Sequence, residues 1–194
     1  GYVEDTPMPP FDLSAAKKHV AAYEQATGQK LSFVAPSPGG GGDQSAQELI
    51  QSQLAEAGIE MKLQTMEQSA SIDRAIAGDF DMMLWRNHPG GDPDLQYIWW
   101  HSGSPVNFGR IDDPEVDRLL EEGRLTTDPD ERAKIYQELN RRFADQAHGI
   151  WTTWSKWGVI SAPTVHGVLD PKVDGGEPFP GLATGQPVSG LWVD

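Results

Sequence analysis

The order of hydrophobic and polar positions predicts alternating helices and strands over the first part of the chain. Apolar residues recur at three- and four-residue spacing in some segments, which is typical of helices with one buried face. Short apolar or alternating runs between these segments are typical of strands. In chain order we predict a helix over 13–25, a strand over 31–35 closed by Pro36, a helix from Asp43 to Gly58, a strand over 61–65 and a helix over 69–77.

The apolar run from Phe80 to Trp85 completes this pattern. It shows no alternation, which predicts a strand that is covered on both faces at the centre of a parallel sheet. The resulting β-α-β-α-β order requires right-handed crossovers. The predicted fold class is therefore α/β, with a mainly parallel sheet and flanking helices.

A polar loop follows this predicted strand and carries the first candidate ligand-binding residues. It breaks at residues 88–91, His-Pro-Gly-Gly, and a helix is predicted to start at Asp92-Pro93-Asp94. In open α/β sheets, ligands bind beyond the carboxyl ends of the strands. The candidates in that position are Trp85, Arg86, Asn87, His88 and Asp92.

Two capped helices are predicted in the second half of the chain. Asp113-Pro114 and Asp128-Pro129 each place a capping carboxylate before a proline at the first helical position. Residues 149–162 are predicted to be extended, and residues 163–194 to form loops with one or two short strands. The predicted buried positions of the two helices are Val116, Leu119, Leu120, Ile135, Leu139 and Phe143, and the predicted solvated face contains Glu131, Arg132, Lys134, Glu138 and Arg141.

Composition and charge restrict the possible function classes. A formal net charge of −14 argues against nucleic acid or an anionic membrane as a partner, because both require a basic surface. The chain has no cysteine, which excludes disulfides and thiol chemistry. No apolar run approaches the roughly 20 residues of a membrane-spanning helix. The acidic, proline-rich N-terminus does not match a signal peptide.

No motif predicts a cofactor or a catalytic centre. The run Gly39–Gly42 lacks the Lys-Ser/Thr of a phosphate-binding P-loop and the spaced glycines of a dinucleotide fingerprint. Paired carboxylates at the helix starts are explained by capping. No spacing typical of a metal site joins the histidines, which we interpret as separate surface or cleft residues: His88, His101, His148 and His166.

The tryptophans allow two interpretations. There are seven, six of which cluster near residues 85, 99–100 and 151–157. They can fill the core, in which case at least one of Trp99 and Trp100 is expected to be buried. They can also form flat apolar walls for an organic ligand or a partner protein.

Four segments of the chain, in order, resemble the extracellular solute-binding proteins of family 5, which serve ABC importers of the peptide, nickel and opine class. They are FDLSAAKKHVAAYEQATG, AQELIQSQLAEAGIEMKLQTM, AGDFDMMLWRNHPGGDPD and IDDPEVDRLLEEGRLTTDPDERAKIYQELNRRFADQA. The resemblance covers about residues 10–167. It implies a two-lobed, class II periplasmic-binding-protein-like fold of which this chain is the C-terminal portion. Residues 1–147 would form one ligand-binding α/β lobe, and residues 148–194 a return segment and tail that would complete the missing N-terminal lobe.

The resemblance also implies a function and a set of partners. The chain is expected to capture an extracytoplasmic solute, a peptide or a peptide-like or opine compound, in a cleft between lobes that close on it. The solute would pass to the permease subunits of an ABC importer, with no catalysis, cofactor or metal. The expected location is periplasmic or extracellular, with membrane contact only through the permease or an absent lipid anchor.

The identity of the solute stays open at this point. In peptide binders of this family, an Asp in the loop after the strand equivalent to 80–85 pairs with the peptide amino terminus. Here Arg86-Asn87-His88-Pro89 occupies that place, and Asp92 aligns with the Asp only through a gap. Trp85, Arg86 and Asn87 would also suit an anionic or hydroxyl-rich solute such as an opine or an oligosaccharide. We expect these three residues, with His88 and Asn107, to face the cleft.

Two functions of other classes are alternatives. A metal-dependent hydrolase predicts at least three loop His or Asp groups that converge on one point. A protein-interaction domain predicts a partner surface outside the cleft. The importer interpretation predicts instead an exposed apolar seam where the missing lobe docks.

Overall fold

The computed structural model of the chain describes residues 2–4, 8–39, 41–87, 92–152, 159–170, 172 and 188–194, with the backbone alone for residues 38 and 41–43. These residues form two compact units, which we describe separately. The sheet unit is Pro9–Arg86, and the helical unit is Gly1–Met8 with Asn87–Asp194. The division into lobes near residue 147 stays a prediction.

The sheet unit has the predicted alternation of helices and strands. Its strands β1 and β2 pair in parallel, from Ser32 opposite Glu60 to Pro38 opposite Met66. Its core is made of Val20, Ala35, Ala57, Met61 and Ala75. The α/β fold class with a parallel sheet is therefore confirmed. The elements are α1 (Leu13–Thr27), β1 (Ser32–Pro38), α2 (Gly41–Ala57), β2 (Glu60–Met66) and α3 (Gln68–Ala77).

Helix α1 begins at the predicted residue and extends two residues beyond the predicted end at residue 25. The Asp12 carboxylate accepts a hydrogen bond from the Ala15 N–H at 2.9 Å, which satisfies one of the unpaired donors of the first turn. Gly28 ends the helix with φ 69°, a left-handed conformation that glycine adopts without a Cβ clash. The capping residues thus fix this helix independently of its modest buried face.

Strand β1 continues through Pro36, where the sequence analysis expected it to end. The one backbone polar group of Pro36, its carbonyl, accepts a hydrogen bond from Gln47 Nε2 of α2 at 3.4 Å. Proline is compatible with a strand where its missing N–H is not needed by the ladder. The prediction of a break at Pro36 was therefore wrong.

The predicted central strand over Phe80–Trp85 is also wrong. Residues 79–87 have no regular secondary structure, and within the described part of the chain β1 and β2 pair only with each other. Met82, Met83 and Leu84 are half-buried. The apolar run therefore indicates that these side chains are partly buried, and partial burial does not require the backbone to pair as a strand.

The helical unit is built around the two predicted capped helices. They are α5 (Pro114–Leu125) and α6 (Pro129–Gln146), preceded by a 3-10 turn over Pro93–Gln96 and the short helix α4 (Tyr97–Trp100). Asp113 and Asp128 accept N–H hydrogen bonds from the first turns of α5 and α6, as predicted. The core cluster contains Ile111, Val116, Leu119, Leu120, Tyr136, Leu139 and Phe143, with Ile135 packed against it.

The described residues after α6 carry little regular structure, as predicted. Strands β3 (Val165–His166) and β4 (Trp192–Val193) form a short antiparallel pair. The predicted extended segment 149–162 has no strand in its described residues, and residues 153–158 lie outside them. Trp99 and Trp100 are both half-buried, so neither meets the expectation that at least one of them is buried.

Candidate functional site

The predicted site residues divide between the two units. Trp85 and Arg86 end the sheet unit and are exposed, Trp85 by 38%. Asn87, Asp92 and Asn107 belong to the helical unit. His88 lies outside the described residues. The geometry of each group is therefore given within its own unit.

Asn87 is held by a side-chain relay at the start of the helical unit. Its Nδ2 donates to Gln96 Oε1 at 3.0 Å, and the Trp100 indole N–H donates to the same oxygen at 3.1 Å. Asn87 Oδ1 is buried, and no donor among the described residues lies within hydrogen-bond reach of it. The amide N–H of Asn87 is thus hydrogen-bonded to protein, whereas the amide oxygen is not bonded to any described residue.

Asp92 is held by protein groups on both carboxylate oxygens. Arg132 of α6 donates to Oδ1 at 2.6 Å and to Oδ2 at 2.9 Å, and the Asp94 N–H donates to Oδ1 at 2.8 Å. The hydrogen bond from Arg132 lowers the pKa of Asp92 below its usual value. Asp92 therefore serves as a helix cap and as one half of a bidentate ion pair. A contact from Asp92 to a solute stays a prediction.

A second ion pair fixes the same segment to α5. Arg124 donates to the two oxygens of Asp94 at 2.8 and 3.2 Å, and its guanidinium lies 3.7 Å from the centre of the Tyr97 ring. Arg132 also donates from Nε to the Gly123 carbonyl at 2.8 Å. The assignment of Arg132 to a solvated face was therefore wrong, because its side chain is only 24% exposed and joins three elements.

Asn107 closes the loop that precedes α5. It is buried, its Nδ2 donates to the Ile111 carbonyl at 2.8 Å, and its Oδ1 accepts from the Ile111 N–H at 3.1 Å. Nδ2 also lies 3.3 Å from the His101 carbonyl. These contacts give Asn107 a structural role in the loop, and a ligand-binding role for it stays a prediction.

His101 lies beside two carboxylates of α5. Its Nδ1 accepts from the Gly103 N–H at 3.0 Å, so in the neutral ring Nε2 carries the proton and donates to Glu121 at 3.3 Å. Asp117 lies 4.0 Å from the same nitrogen and accepts from Ser102 Oγ at 2.5 Å. The cluster joins the loop after α4 to α5.

Asp113 is the buried charge of the helical unit. Its side chain is 6% exposed, and its Oδ2 accepts from Arg142 Nε at 2.8 Å and lies 2.8 Å from His148 Nε2. The Arg142 hydrogen bond holds the pKa of Asp113 well below its usual range, and His148 adds to this effect. Asp113 thus joins the start of α5 to the end of α6.

Of the four candidate histidines, the three that the structure describes pair with separate carboxylates. His166 lies 3.1 Å from Asp194, so each of the three described loop histidines contacts a different set of carboxylates. Within the described ranges, no group of three or more His, Asp or Glu side chains is arranged to hold a metal ion. The convergence that the hydrolase alternative predicts is not found in that part of the chain.

A polar cleft of about 420 Å³ lies within the sheet unit. Arg74 crosses it, donating to Gln64 Oε1 at 2.8 Å and lying 3.6 Å from Asp79. None of the predicted site residues lines this cleft. The lining residues are Val34, Gln64, Arg74, Gly78, Asp79, Phe80 and Asp81.

Sequence reasoning missed the two residues that fix the ends of the candidate loop, Gln96 and Arg132. The i,i+4 spacing of Gln96 and Trp100 places both on one helical face and could have indicated a contact between them. No such local signal exists for Arg132, which is 40 positions from Asp92 in the sequence.

A family model and several known proteins match the chain. The model described as "Bacterial extracellular solute-binding proteins, family 5 Middle" matches residues 1–109. The chain is 28% identical over 185 residues to the probable di/tripeptide-binding protein 5 of Pseudomonas aeruginosa, covering 90% of this chain and 32% of that protein. It is 28% identical over 130 residues to the probable D,D-dipeptide-binding periplasmic protein DdpA of Escherichia coli, covering 64% of this chain and 25% of that protein.

Solved structures share the fold. The ABC transporter substrate-binding protein CtaP of Listeria monocytogenes superposes with a TM-score of 0.67 at 26% identity, covering 75% of this chain and 30% of that one. The oligopeptide-binding protein AppA of Bacillus subtilis gives a TM-score of 0.64 at 24% identity, covering 76% of this chain and 32% of that one.

Among the described residues, no helix is both long and apolar enough to span a membrane.

The chain spans about a quarter to a third of the length of the two curated relatives described above. The match to the family model nevertheless extends over more than half of the chain, through α1 to α4 and the candidate loop. The chain belongs to the bacterial extracellular solute-binding proteins, family 5.

Proposed function

We propose that this chain contributes to the capture of a short peptide or peptide-like solute outside the cytoplasmic membrane, for delivery to the permease of an ABC importer. The observation that carries the proposal is the family match, together with relatives named as di/tripeptide- and D,D-dipeptide-binding proteins. In such a protein, ligand binding stabilises a closed state through its differential affinity for that state.

The candidate contacts are Trp85, Arg86, Asn87 and His88, with Asp92 and Asn107 as further candidates. Trp85 supplies an exposed apolar surface, and Arg86 an exposed cation suited to a carboxylate. Asn87 supplies a hydrogen-bond acceptor that no described residue uses. Asp92 and Asn107 are the weaker candidates, because protein groups already engage their polar atoms.

The distribution of exposed apolar side chains supports an association with further polypeptide, as expected from the missing lobe. After α6, the exposed fractions are 76% for Ile150, 64% for Trp151 and 97% for Ile160. Contiguous apolar surface is typical of places that another segment or protein covers, and Ile150 and Trp151 are neighbours in the chain.

The test is native mass spectrometry of the protein as its gene encodes it, purified without removal of its bound solute. Melting temperatures are then recorded with a pool of di- and tripeptides and with a pool of oligosaccharides. We expect a co-purified peptide and a rise in melting temperature with the peptide pool alone. A rise with the oligosaccharides alone, or with neither pool, contradicts the proposal.

A second experiment concerns the 194-residue chain by itself. We expect it to bind the same peptides weakly or not at all, because the expected cleft requires two lobes. Calorimetry that gives a micromolar Kd for this chain alone would contradict that expectation. Fractionation of the source cells tests the expected periplasmic or extracellular location.

A further inference from the structure

The two ring nitrogens of His101 make contacts of opposite kinds. Nδ1 lies 3.0 Å from the Gly103 backbone nitrogen, whose N–H is a donor, so Nδ1 must be an unprotonated acceptor. Nε2 lies 3.3 Å from the Glu121 carboxylate, which is an acceptor, so Nε2 must carry a proton. A ring turned over would present carbon atoms at both places. The two contacts together therefore fix one neutral tautomer of His101.

Charged and aromatic groups from two helices face this ring. Two carboxylates of α5, Glu121 and Asp117, lie 3.3 and 4.0 Å from Nε2. From α4, the Tyr97 ring stacks on the imidazole with ring centres 4.5 Å apart. The Arg124 guanidinium also lies over the Tyr97 ring and is paired with Asp94. A carboxylate accepts a hydrogen bond from a neutral or a charged imidazole, so a protonated ring would keep its partners on α5.

A second proton on the ring changes the contact at Nδ1. In the charged imidazole both nitrogens are donors. The Nδ1–H and the Gly103 N–H would then point at each other across 3.0 Å, and neither could accept a hydrogen bond. Histidine is the side chain whose charge ordinarily changes between about pH 5 and 8. The contact between His101 and Gly103 is therefore compatible with the neutral ring and incompatible with the charged one.

The release of Gly103 can stay local, because its neighbours have contacts of their own. Ser102 donates from its backbone N–H and its hydroxyl to Asp117, at 2.8 and 2.5 Å. The Ser104 N–H donates to the His101 carbonyl at 2.9 Å. Gly103 itself is exposed, so its N–H can turn to water once the ring no longer accepts it. Glycine also adopts alternative backbone conformations at little steric cost.

We propose that His101 is a proton-dependent latch in the loop between α4 and α5: the neutral ring holds the Gly103 N–H, and the protonated ring releases it while it stays paired with α5. The latch consists of His101 and Gly103, with Asp117 and Glu121 as the anchors on α5. This inference goes beyond the proposed function and does not depend on it.

Two substitutions of His101 separate the proton from the hydrogen bond. His101→Asn keeps an acceptor, because an asparagine side chain bonds the backbone N–H two residues further on, and it has no proton to gain in this pH range. His101→Leu removes the acceptor at every pH. His166→Asn is the matched control, because His166 also contacts a carboxylate, that of Asp194 at 3.1 Å, but belongs to a different part of the chain.

Nuclear magnetic resonance on the protein as its gene encodes it, labelled with nitrogen-15 in glycine, follows the Gly103 amide from about pH 8 to about pH 5. The signal is assigned by its loss in Gly103→Ala. We expect the wild-type signal to move along the same curve as the ring signals of His101. The His101→Asn signal should stay in place throughout, and His101→Leu should show the released signal even at high pH.

Hydrogen exchange gives the size of the effect. At the acidic end of the titration, the Gly103 amide of His101→Asn should be protected about 3- to 10-fold more than that of the wild type, which is the effect of one net hydrogen bond. At the alkaline end, the two proteins should agree within about twofold. Both values are compared at equal pH, so the intrinsic dependence of exchange on pH cancels.

Three results would overturn the inference. The first is a Gly103 signal that stays in place while the ring of His101 takes up its proton. The second is a signal that moves equally in the wild type and in His101→Asn. The third is a movement that disappears in His166→Asn, because it would then belong to another histidine.

Discussion

Gly123 of α5 lies directly against the ring of Tyr136 of α6. A Cβ atom at residue 123 would be 2.6 Å from Tyr136 Cζ and 2.9 Å from the phenol oxygen. Tyr136 is 3% exposed and belongs to the core cluster, so it cannot move away freely. The absence of a side chain at Gly123 is thus what allows α5 and α6 to approach at this point.

We expect Gly123→Ala to lower the free energy of unfolding by about 1–3 kcal/mol, because overpacking exceeds the roughly 1 kcal/mol that alanine gains in helix propensity. Urea unfolding followed by circular dichroism measures the change. Gly149→Ala is the control, since a Cβ there meets nothing within 4 Å. A Gly123→Ala variant as stable as the wild type would show that Tyr136 relaxes without cost.

The lowered pKa of Asp113 predicts a pH dependence of stability. Its folded pKa lies below the ordinary value of about 3.9, so the unfolded chain takes up the proton first as the pH falls. Its contribution is therefore complete above that ordinary value and is lost progressively below it. We expect Asp113→Asn to cost about 1–3 kcal/mol at neutral pH, with the difference from wild type shrinking below about pH 4.

Urea titrations of both proteins between neutral and acidic pH test this expectation, with Asp112→Asn as the control because Asp112 is exposed. A difference that stays constant down to the lowest pH would mean that the charge of Asp113 is not what stabilises the fold.

We expect the ion pair of Asp92 and Arg132 to have a small but measurable coupling free energy in a double-mutant cycle. Asp92 is 51% exposed, so solvent screens the charges, and a coupling of about 0.2–1 kcal/mol is expected despite the bidentate geometry. The cycle consists of Asp92→Asn, Arg132→Met and the double variant, measured by urea unfolding. The coupling should fall at high salt. The control for the change in net charge is Lys134→Met, because Lys134 is an exposed charge of the same helix. A coupling free energy of zero at low salt would contradict the assignment of this pair.

The Asn107→Ala variant distinguishes a structural role of this residue from a role in binding the solute. Asn107→Ala leaves the Ile111 N–H without its partner in a buried loop, so we expect a loss of about 1–3 kcal/mol in the free energy of unfolding. A purely structural role leaves the Kd of the folded protein for its peptide within about twofold of the wild type, which is below the effect of one net hydrogen bond. A variant with normal stability and a much weaker Kd would instead assign Asn107 to the solute.

Much of the local structure could be predicted from capping residues. Asp12, Asp113 and Asp128 each engage N–H groups that a helix start leaves unpaired, and such signals depend on neighbours only two or three positions away. The apolar spacing of α5 likewise identified Val116, Leu119 and Leu120 as core residues. These predictions succeed because the interactions that decide them are local.

The wrong predictions share a dependence on distant partners. Hydrophobicity over 80–85 indicates burial, but strand formation also requires a paired backbone, which the run itself cannot specify. The role of Arg132 depends on Asp92, which is 40 positions away and precedes a separate element. Among the candidate site residues, the sequence indicated Asn87 correctly as a polar loop residue but could not indicate the orientation of its amide.

The core cluster of the helical unit runs only from Ile111 to Phe143 and is formed largely by two consecutive helices. Contacts between residues so near in sequence form with a small loss of chain entropy, and they form early. We therefore expect folding of the helical unit to begin at the hairpin of α5 and α6. Its amides should be among the slowest to exchange with solvent, whereas the exposed segments that follow it exchange first.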